Sequence, residues 1–404
     1  MLSCVLLNNL RASHPMPLQP LTAVKHATTA LVLLLVALAG VEIWLRTRPM
    51  PSVQIVASTA SVIDQPLLMP SAVCHHELRR LQKTTVSPGQ GAEPLRFRVN
   101  SLGCRGPDVA TPAAPGLYRI LILGDDSVCG SGVAEEETIA ARLKQFLSKS
   151  TTAEIEVING GVPGYCPLLS SLKFEHDLAR LKPDLVILHV DMTDIGDDSR
   201  YRSLVLHDGD HAICSHASFR LQAKSASMLM QLTKQSATAC WFVAQTRRHA
   251  PELLSVATTA EQSSSGLTWI TDHPPDLRLQ IRHALDPIKN LQASVANAGG
   301  QLLVTTSPVL WQVVSADEAP DLSRRYGISG ATPYASLFPF EVLASFCRAG
   351  SIHFCDTSLA FRNENAAKLF SKDTVVLSRI GMALYAREIA RCPAIGIKMI
   401  LRSA

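Results

Sequence analysis

No C-x-x-C pair occurs anywhere among the 10 cysteines, which excludes zinc ribbons and thioredoxin-like redox motifs. Ten cysteines in 404 residues are also too sparse for a disulfide scaffold. Charge of one sign is scarce: 38 Lys and Arg against 34 Asp and Glu leave +4. That is too small and too dispersed for a nucleic-acid surface, so no nucleic-acid partner is expected. Gly and Pro, at 22 and 24 residues, are near average and rule out a collagen-like or low-complexity chain. What is present is apolar content, 47% of the residues, enough to bury a core and to exclude intrinsic disorder. The length fits two to three domains of about 150 residues, or one elaborated α/β domain.

Residues 27–41 (ATTALVLLLVALAGV) carry no charge, and Trp44 and Arg46 follow. With Glu42 snorkelling or paired, the run extends to 45 and approaches the ~20 residues that span a bilayer. The expectation is a lead over 1–26 and a single-pass anchor over 27–45 in the cell membrane. A cleaved signal peptide and a core helix are the alternatives. Arg11 and Lys25 precede the run and Arg46 and Arg48 follow it, so the positive charges do not fix its orientation. The main domain is placed outside the cytoplasm only because signal anchors usually put it there.

Residues 46–94 show little periodicity and read as a stalk or linker. A pattern of strands and helices then runs over 95–392, ahead of a tail at 393–404. Buried parallel strands are expected at Tyr118–Leu123, Ile155–Ile158, Asp184–Val190, Gln301–Thr305 and Ser351–Cys355. Helices are expected at Glu135–Ser148, Leu168–Leu181, Asp286–Asn297 and Leu377–Ala390. An insertion at 199–275 holds a hairpin signal, Asp208-Gly209 within Leu204–Cys214, a helical pattern at Ala223–His249 and a loop at 253–268. Alternating strands and helices imply a parallel sheet covered on both faces, with its site at the carboxyl ends of the strands.

The loops at those ends read Gly124-Asp125-Asp126-Ser127-Val128-Cys129-Gly130, then Asn159-Gly160-Gly161-Val162-Pro163-Gly164, then Asp191-Met192-Thr193-Asp194. Near the C-terminus stands Asp373-Thr374-Val375-Val376-Leu377-Ser378-Arg379-Ile380-Gly381, and Asn100-Ser101-Leu102-Gly103-Cys104-Arg105 lies upstream. In this order and on these elements the set resembles the GDSL/SGNH hydrolases, over about residues 95–210 and 300–390. The resemblance implies a three-layer αβα, flavodoxin-like fold with a five-stranded parallel sheet and an inserted hairpin and helix region. It also implies ester hydrolysis by a serine, a histidine base oriented by an aspartate, and an oxyanion held by a glycine N–H and an asparagine amide.

Position by position, the resemblance places Asp126 where the serine should stand, Thr193 at the asparagine and Val376 at the histidine, while Gly164 and Asp373 agree with the pattern. Loss of nucleophile or base costs ~10⁶ in rate, and loss of an oxyanion donor ~10²–10³. The site positions Asp126, Ser127, Gly164, Thr193, Asp373 and Val376 are therefore read as degenerate. Three hypotheses follow. In the first, a catalytically silent protein keeps its cleft for a glycan, an acylated ligand or a partner. In the second, a rewired esterase or acyltransferase uses Ser127 or an acidic cluster. In the third, a metal-assisted site sits on the rim formed by Asp125, Asp126, Asp191, Asp194 and Asp373. Cys129, His189 and His353 are read as core residues. His207, His211, Cys214 and His216 are crowded like metal ligands, but a hairpin sends alternate side chains to opposite faces. No cofactor and no metal is expected.

Overall fold

The structure is a computed structural model. It describes residues 29–44 except 31, 35 and 38, then 67–86, 93–208, 211–216, 238, 278–326, 328, 334, 336–362, 365–372 and 375–395. The chain divides into two units. The smaller one comprises Met1–Val56 and Ser225–Ala257. Its described part is a helix within 29–44, on which Val32, Leu33, Leu34 and Val36 are exposed. The Glu42 carboxylate accepts both the backbone N–H and the hydroxyl of Thr238, each at 2.8 Å. A carboxylate in an apolar run is thereby paired rather than orphaned. Among the described residues no helix is long and apolar enough to cross a membrane. Six positions of the expected 27–45 anchor (27, 28, 31, 35, 38 and 45) lie outside the described residues.

The larger unit comprises Ala57–Lys224 and Thr258–Ala404. Its strands are β1 (Leu68–Pro70), β2 (His76–Leu78), β3 (Lys83–Val86), β4 (Leu95–Arg98), β5 (Tyr118–Leu123), β6 (Ile155–Asn159), β7 (Leu185–His189), β8 (Val205–Asp208), β9 (His211–Cys214), β10 (Gln301–Thr306) and β11 (His353–Asp356). Its helices are α1 (Asp126–Cys129), α2 (Ile139–Leu147), α3 (Pro167–Lys173), α4 (Asp194–Arg202), α5 (Arg278–Leu285), α6 (Pro287–Asn297), α7 (Pro320–Tyr326), α8 (Phe338–Ala349) and α9 (Arg379–Ala390). The expected helix over 168–181 is broken. α3 ends at Lys173, and a π-turn and a 3₁₀ turn carry the chain to Leu181.

Five parallel strands form the central sheet in the order β11-β10-β7-β5-β6. Both faces of each central strand are buried, which is why the sequence runs YRILIL and LVILH without alternation. Ile120, Ile122, Leu185 and Ile187 pack on one side with α2 and α9. Leu121, Leu123, Val186 and Leu188 pack on the other with α6 and α8. The fold is thus the expected three-layer α/β arrangement with flavodoxin-like strand order. Strand order reverses between β5 and β7, and the crevice outside their carboxyl ends is where such sheets carry sites.

The expected stalk is corrected over 67–86, which belongs to the folded unit. Leu67, Cys74 and Leu78 are no more than 1% exposed and share a core with Phe97, Val162 and Tyr165. The segment is anchored through the hairpin β8–β9, where the backbone of Cys214 pairs with that of Cys74 and both thiols are free. Its partners lie far away in the sequence, so no local period betrays it. The tail is corrected likewise at Ile395, which is fully buried. Truncating Leu78 tests the correction: Leu78→Ala is expected to cost about 2–5 kcal/mol in urea denaturation, against under about 0.5 kcal/mol for a residue in a solvated stalk.

Candidate functional site

Gly124 ends β5 at φ 153°, and a Cβ there would stand 2.6 Å from Val128 Cγ2 and 3.0 Å from His189 Cβ. The close approach of β5, β7 and α1 therefore requires glycine. Asp125 caps α1, its carboxylate accepting Ser127 N at 3.0 Å. Arg105 holds the other end, donating to the carbonyls of Cys129 at 2.9 Å, Val133 at 2.7 Å and Gly130. Asn100 builds the turn that delivers Arg105, its side-chain oxygen accepting Leu102 N and Cys104 N. The upstream block thus fixes the short helix on which the reacting group of a serine hydrolase would sit.

Asp126 opens that helix, and its Oδ2 accepts the backbone N–H of Gly164 at 3.2 Å. After β7, Asp191 Oδ1 accepts both the N–H and the hydroxyl of Thr193, at 2.8 and 2.7 Å. Asp194 Oδ2 accepts Asp191 N at 2.8 Å. The structure therefore joins Asp126 to Gly164 and commits Thr193 to Asp191. Val376 lies in the bend before α9, its carbonyl accepting Ser371 N at 2.9 Å, and its isopropyl group can take no proton. Asp373 lies outside the described residues. Ser127 is 6% exposed. Cys129 is buried, and burial pushes its thiol up to about 12, so it is no thiolate nucleophile.

His189 was read as a core histidine, and its partners agree with that reading. Nδ1 lies 3.5 Å from Asp125 Oδ1 and Nε2 lies 3.1 Å from Ser307 Oγ. The connectivity is that of a serine–histidine–aspartate relay, but Ser307 is buried, at 2% exposed. His353 is exposed on the outermost strand. His207 pairs across the hairpin with Ala212, and Asp208 with His211. The side chains of His207 and His211 lie outside the described residues.

Three groups were missed by sequence reasoning. His76 Nε2 bonds Pro163 O at 2.8 Å, and Tyr201 Oη and His76 Nε2 are 3.6 and 4.0 Å from where a Cβ on Gly164 would stand. Burial lowers His76 to about 4, so the ring is neutral at pH 7. A neutral ring that donates Nε2–H to a carbonyl cannot use that nitrogen as a base. Asp197, 3.4 Å from Arg200, completes this side. The only available signal was the His75-His76 pair, which stood in the stretch read as a stalk.

The site is a concentration of carboxyls, with Asp125, Asp191 and Asp194 buried and Asp126 and Asp197 half-buried. Burial, then the neighbouring Asp125, raise Asp126 to about 8. Burial raises Asp197 to about 7 and Asp191 to about 6, and Asp194 well above the usual range. Asp125, His189 and Asp191 are the residues that could hold a cation, since one ligand atom from each lies within 4.8 Å of the others. A surface groove of about 490 Å³, lined by Glu175, Lys182 and Gly299 among others, lies at the amino ends of β7 and β10, the wrong end of the sheet for this site.

No protein-family model matches the sequence, and a search of curated proteins gives no match. Among solved structures the chain is similar to an acetylxylan esterase from Geobacillus stearothermophilus, at 14% identity and TM-score 0.35, covering 68% of this chain and 93% of that one. It is also similar to a lipase/acylhydrolase from Enterococcus faecalis, at 12% identity and TM-score 0.36, covering 68% and 94%. A G-D-S-L family protein from Desulfitobacterium hafniense gives 13%, 0.35, 68% and 99%. At these values nothing about the site is taken from them.

Because Asp126, Asp191 and Asp197 hold protons more tightly folded than unfolded (about 3.9), their contribution is complete below pH ~4 and is lost as pH rises through 6 to 8. The melting temperature is therefore expected to fall between pH 5 and 8.5. Asp126→Asn, which keeps an acceptor for Gly164 N–H, should make that fall shallower. Equal slopes for both proteins would refute the assignment.

Proposed function

We propose that this chain is a hydrolase-like protein of SGNH type that holds a ligand at the strand ends without cleaving an ester. The observation that carries this reading is the hydrogen bond from Gly164 N–H to Asp126. That N–H is the donor the resemblance assigns to the oxyanion, and it already serves a side-chain carboxyl. A tetrahedral oxyanion would have to displace Asp126, and would meet like charge whenever Asp126 is ionised. The donors of Thr193 are committed to Asp191 in the same way. Valine stands at the base position, His76 bonds Pro163 O and His189 bonds the buried Ser307, so among the described residues no histidine is placed to activate a hydroxyl at 126 or 127.

The rewired alternative through Ser127 has less support. Its backbone N–H is tied to Asp125, and no histidine nitrogen bonds its hydroxyl among the described residues. The ligand classes this reading allows are a glycan or an acylated chain presented at a membrane surface, with residues 27–45 as the tether and the main domain outside the cytoplasm.

Short p-nitrophenyl esters are expected to show no turnover above a heat-treated control, and a fluorophosphonate probe no adduct. Asp126→Ser alone should stay silent, because Val376 supplies no base. Turnover or labelling of the unmodified chain, abolished in Ser127→Ala, would overturn the reading. The tether is checked by fractionation: the full chain should sediment with membranes and resist high salt, and a chain lacking residues 1–46 should be soluble.

A further inference from the structure

Apart from the site at the strand ends, the larger unit brings two cysteines together across its last strand and last helix. Cys355 on β11 is in register with Thr305 of β10, so the two side chains leave the sheet on the same face. Thr305 Oγ1 meets the Tyr385 hydroxyl at 2.5 Å, which identifies that face as the one covered by α9. Along α9 and its last turn, Tyr385, Ile389 and Cys392 follow at i, i+4 and i+7, a single helical stripe, and all three are buried. Cys392 N still bonds Ile389 O at 2.9 Å, keeping the thiol on that stripe one residue beyond the cap at Arg391. Both thiols are reduced and lie in one apolar cluster. They are near enough for each thiol to shift the other's titration.

We propose that Cys355 and Cys392 are a modification site: a reversible disulfide that ties the end of α9 to the edge strand β11, formed by exchange with a small-molecule disulfide. In the first step the thiolate of one cysteine attacks the small disulfide, a protein–small-molecule S–S bond forms, and one small thiolate leaves. In the second, the other cysteine attacks the protein sulfur of that mixed disulfide and expels the second small thiolate. The two protein thiols lose two protons and two electrons. The small disulfide gains both and departs as two thiols.

The surroundings favour this pair over the other thiols. β11 is the outermost strand and Cys355 is only half-buried, so the pair is approached from the open edge of the sheet. The neighbouring Cys355 thiol lowers Cys392 to about 7, which makes it an effective attacking thiolate near neutral pH. Burial instead pushes Cys74, Cys104, Cys129 and Cys347 up to about 11 to 12, where little thiolate exists. The cross-link would close a loop containing the 3₁₀ turns Ser358–Phe361 and Ala366–Leu369, the bend that carries Val376 and α9 itself, fixing the end of α9 to the sheet.

The test uses the full chain, equilibrated in buffers of graded oxidised to reduced glutathione, alkylated under denaturing conditions and digested for mass spectrometry. The expected result is a peptide pair linked through Cys355 and Cys392, forming before any other cysteine is lost to alkylation. The oxidised protein should also melt at a higher temperature than the reduced one, because the link constrains the unfolded chain. In Cys392→Ser, Cys355 should be recovered free or as its glutathione adduct, with no internal link. Recovery of both cysteines as free thiols under the most oxidising ratio, linkage of either to a different cysteine, or a lower melting temperature on oxidation would each overturn the proposal. The linked peptide and the melting temperature need no variant, so a misfolded mutant leaves the test intact.

Discussion

A buried carboxyl must find a donor, and at the carboxyl end of this sheet the donors nearest to hand are backbone N–H groups. Asp125 takes that of Ser127, Asp126 that of Gly164, Asp191 that of Thr193, and Asp194 that of Asp191. The bond from Gly164 to Asp126 ties the turn after β6 to that after β5, and the others close the turns after β5 and β7 on themselves. Of these N–H groups, that of Gly164 is the one the resemblance assigns to a developing oxyanion. Satisfying Asp126 and stabilising an oxyanion would draw on that one donor, and here the carboxyl holds it.

The remaining support for the site works through backbone geometry and is indifferent to what stands at the reacting positions. Arg105 clamps the carbonyls that end α1. Asn159 Nδ2 reaches Val128 O at 2.8 Å, binding β6 to the same helix. Gly161 leaves room for that helix, since a Cβ there would stand 2.4 Å from Cys129 N. None of these contacts needs a serine at 126 or a histidine at 376. The geometry of these turns is therefore independent of what stands at those two positions.

The strands and their parallel arrangement were legible because burial on both faces writes itself into continuous apolar runs such as YRILIL and LVILH. The block residues were legible because tight turns restrict residue choice, as at Gly124 and Gly164, both at positive φ. Residues 67–86 were not legible. Their strands are three or four residues long, and their core partners, Tyr165 and Cys214 among them, lie about ninety or more positions away. The placement of His75 and His76 beside Gly164 was lost with them. The break after α3 was also hidden, since an apolar helical period continues through a π-turn that shifts only its register.

The sequence by itself determined the layered α/β fold, the loops that carry the site and the identities Asp126, Thr193 and Val376, because each follows from local pattern and residue chemistry. Only the tertiary structure decided which donors those residues consume: Gly164 N–H is bound by a side chain thirty-eight positions earlier in the chain. It also decided that His189 faces Asp125 and Ser307 rather than Ser127, and that Cys355 faces α9. A hydrogen bond depends on ångström distances between groups that the chain order keeps apart, and no one-dimensional spacing records them.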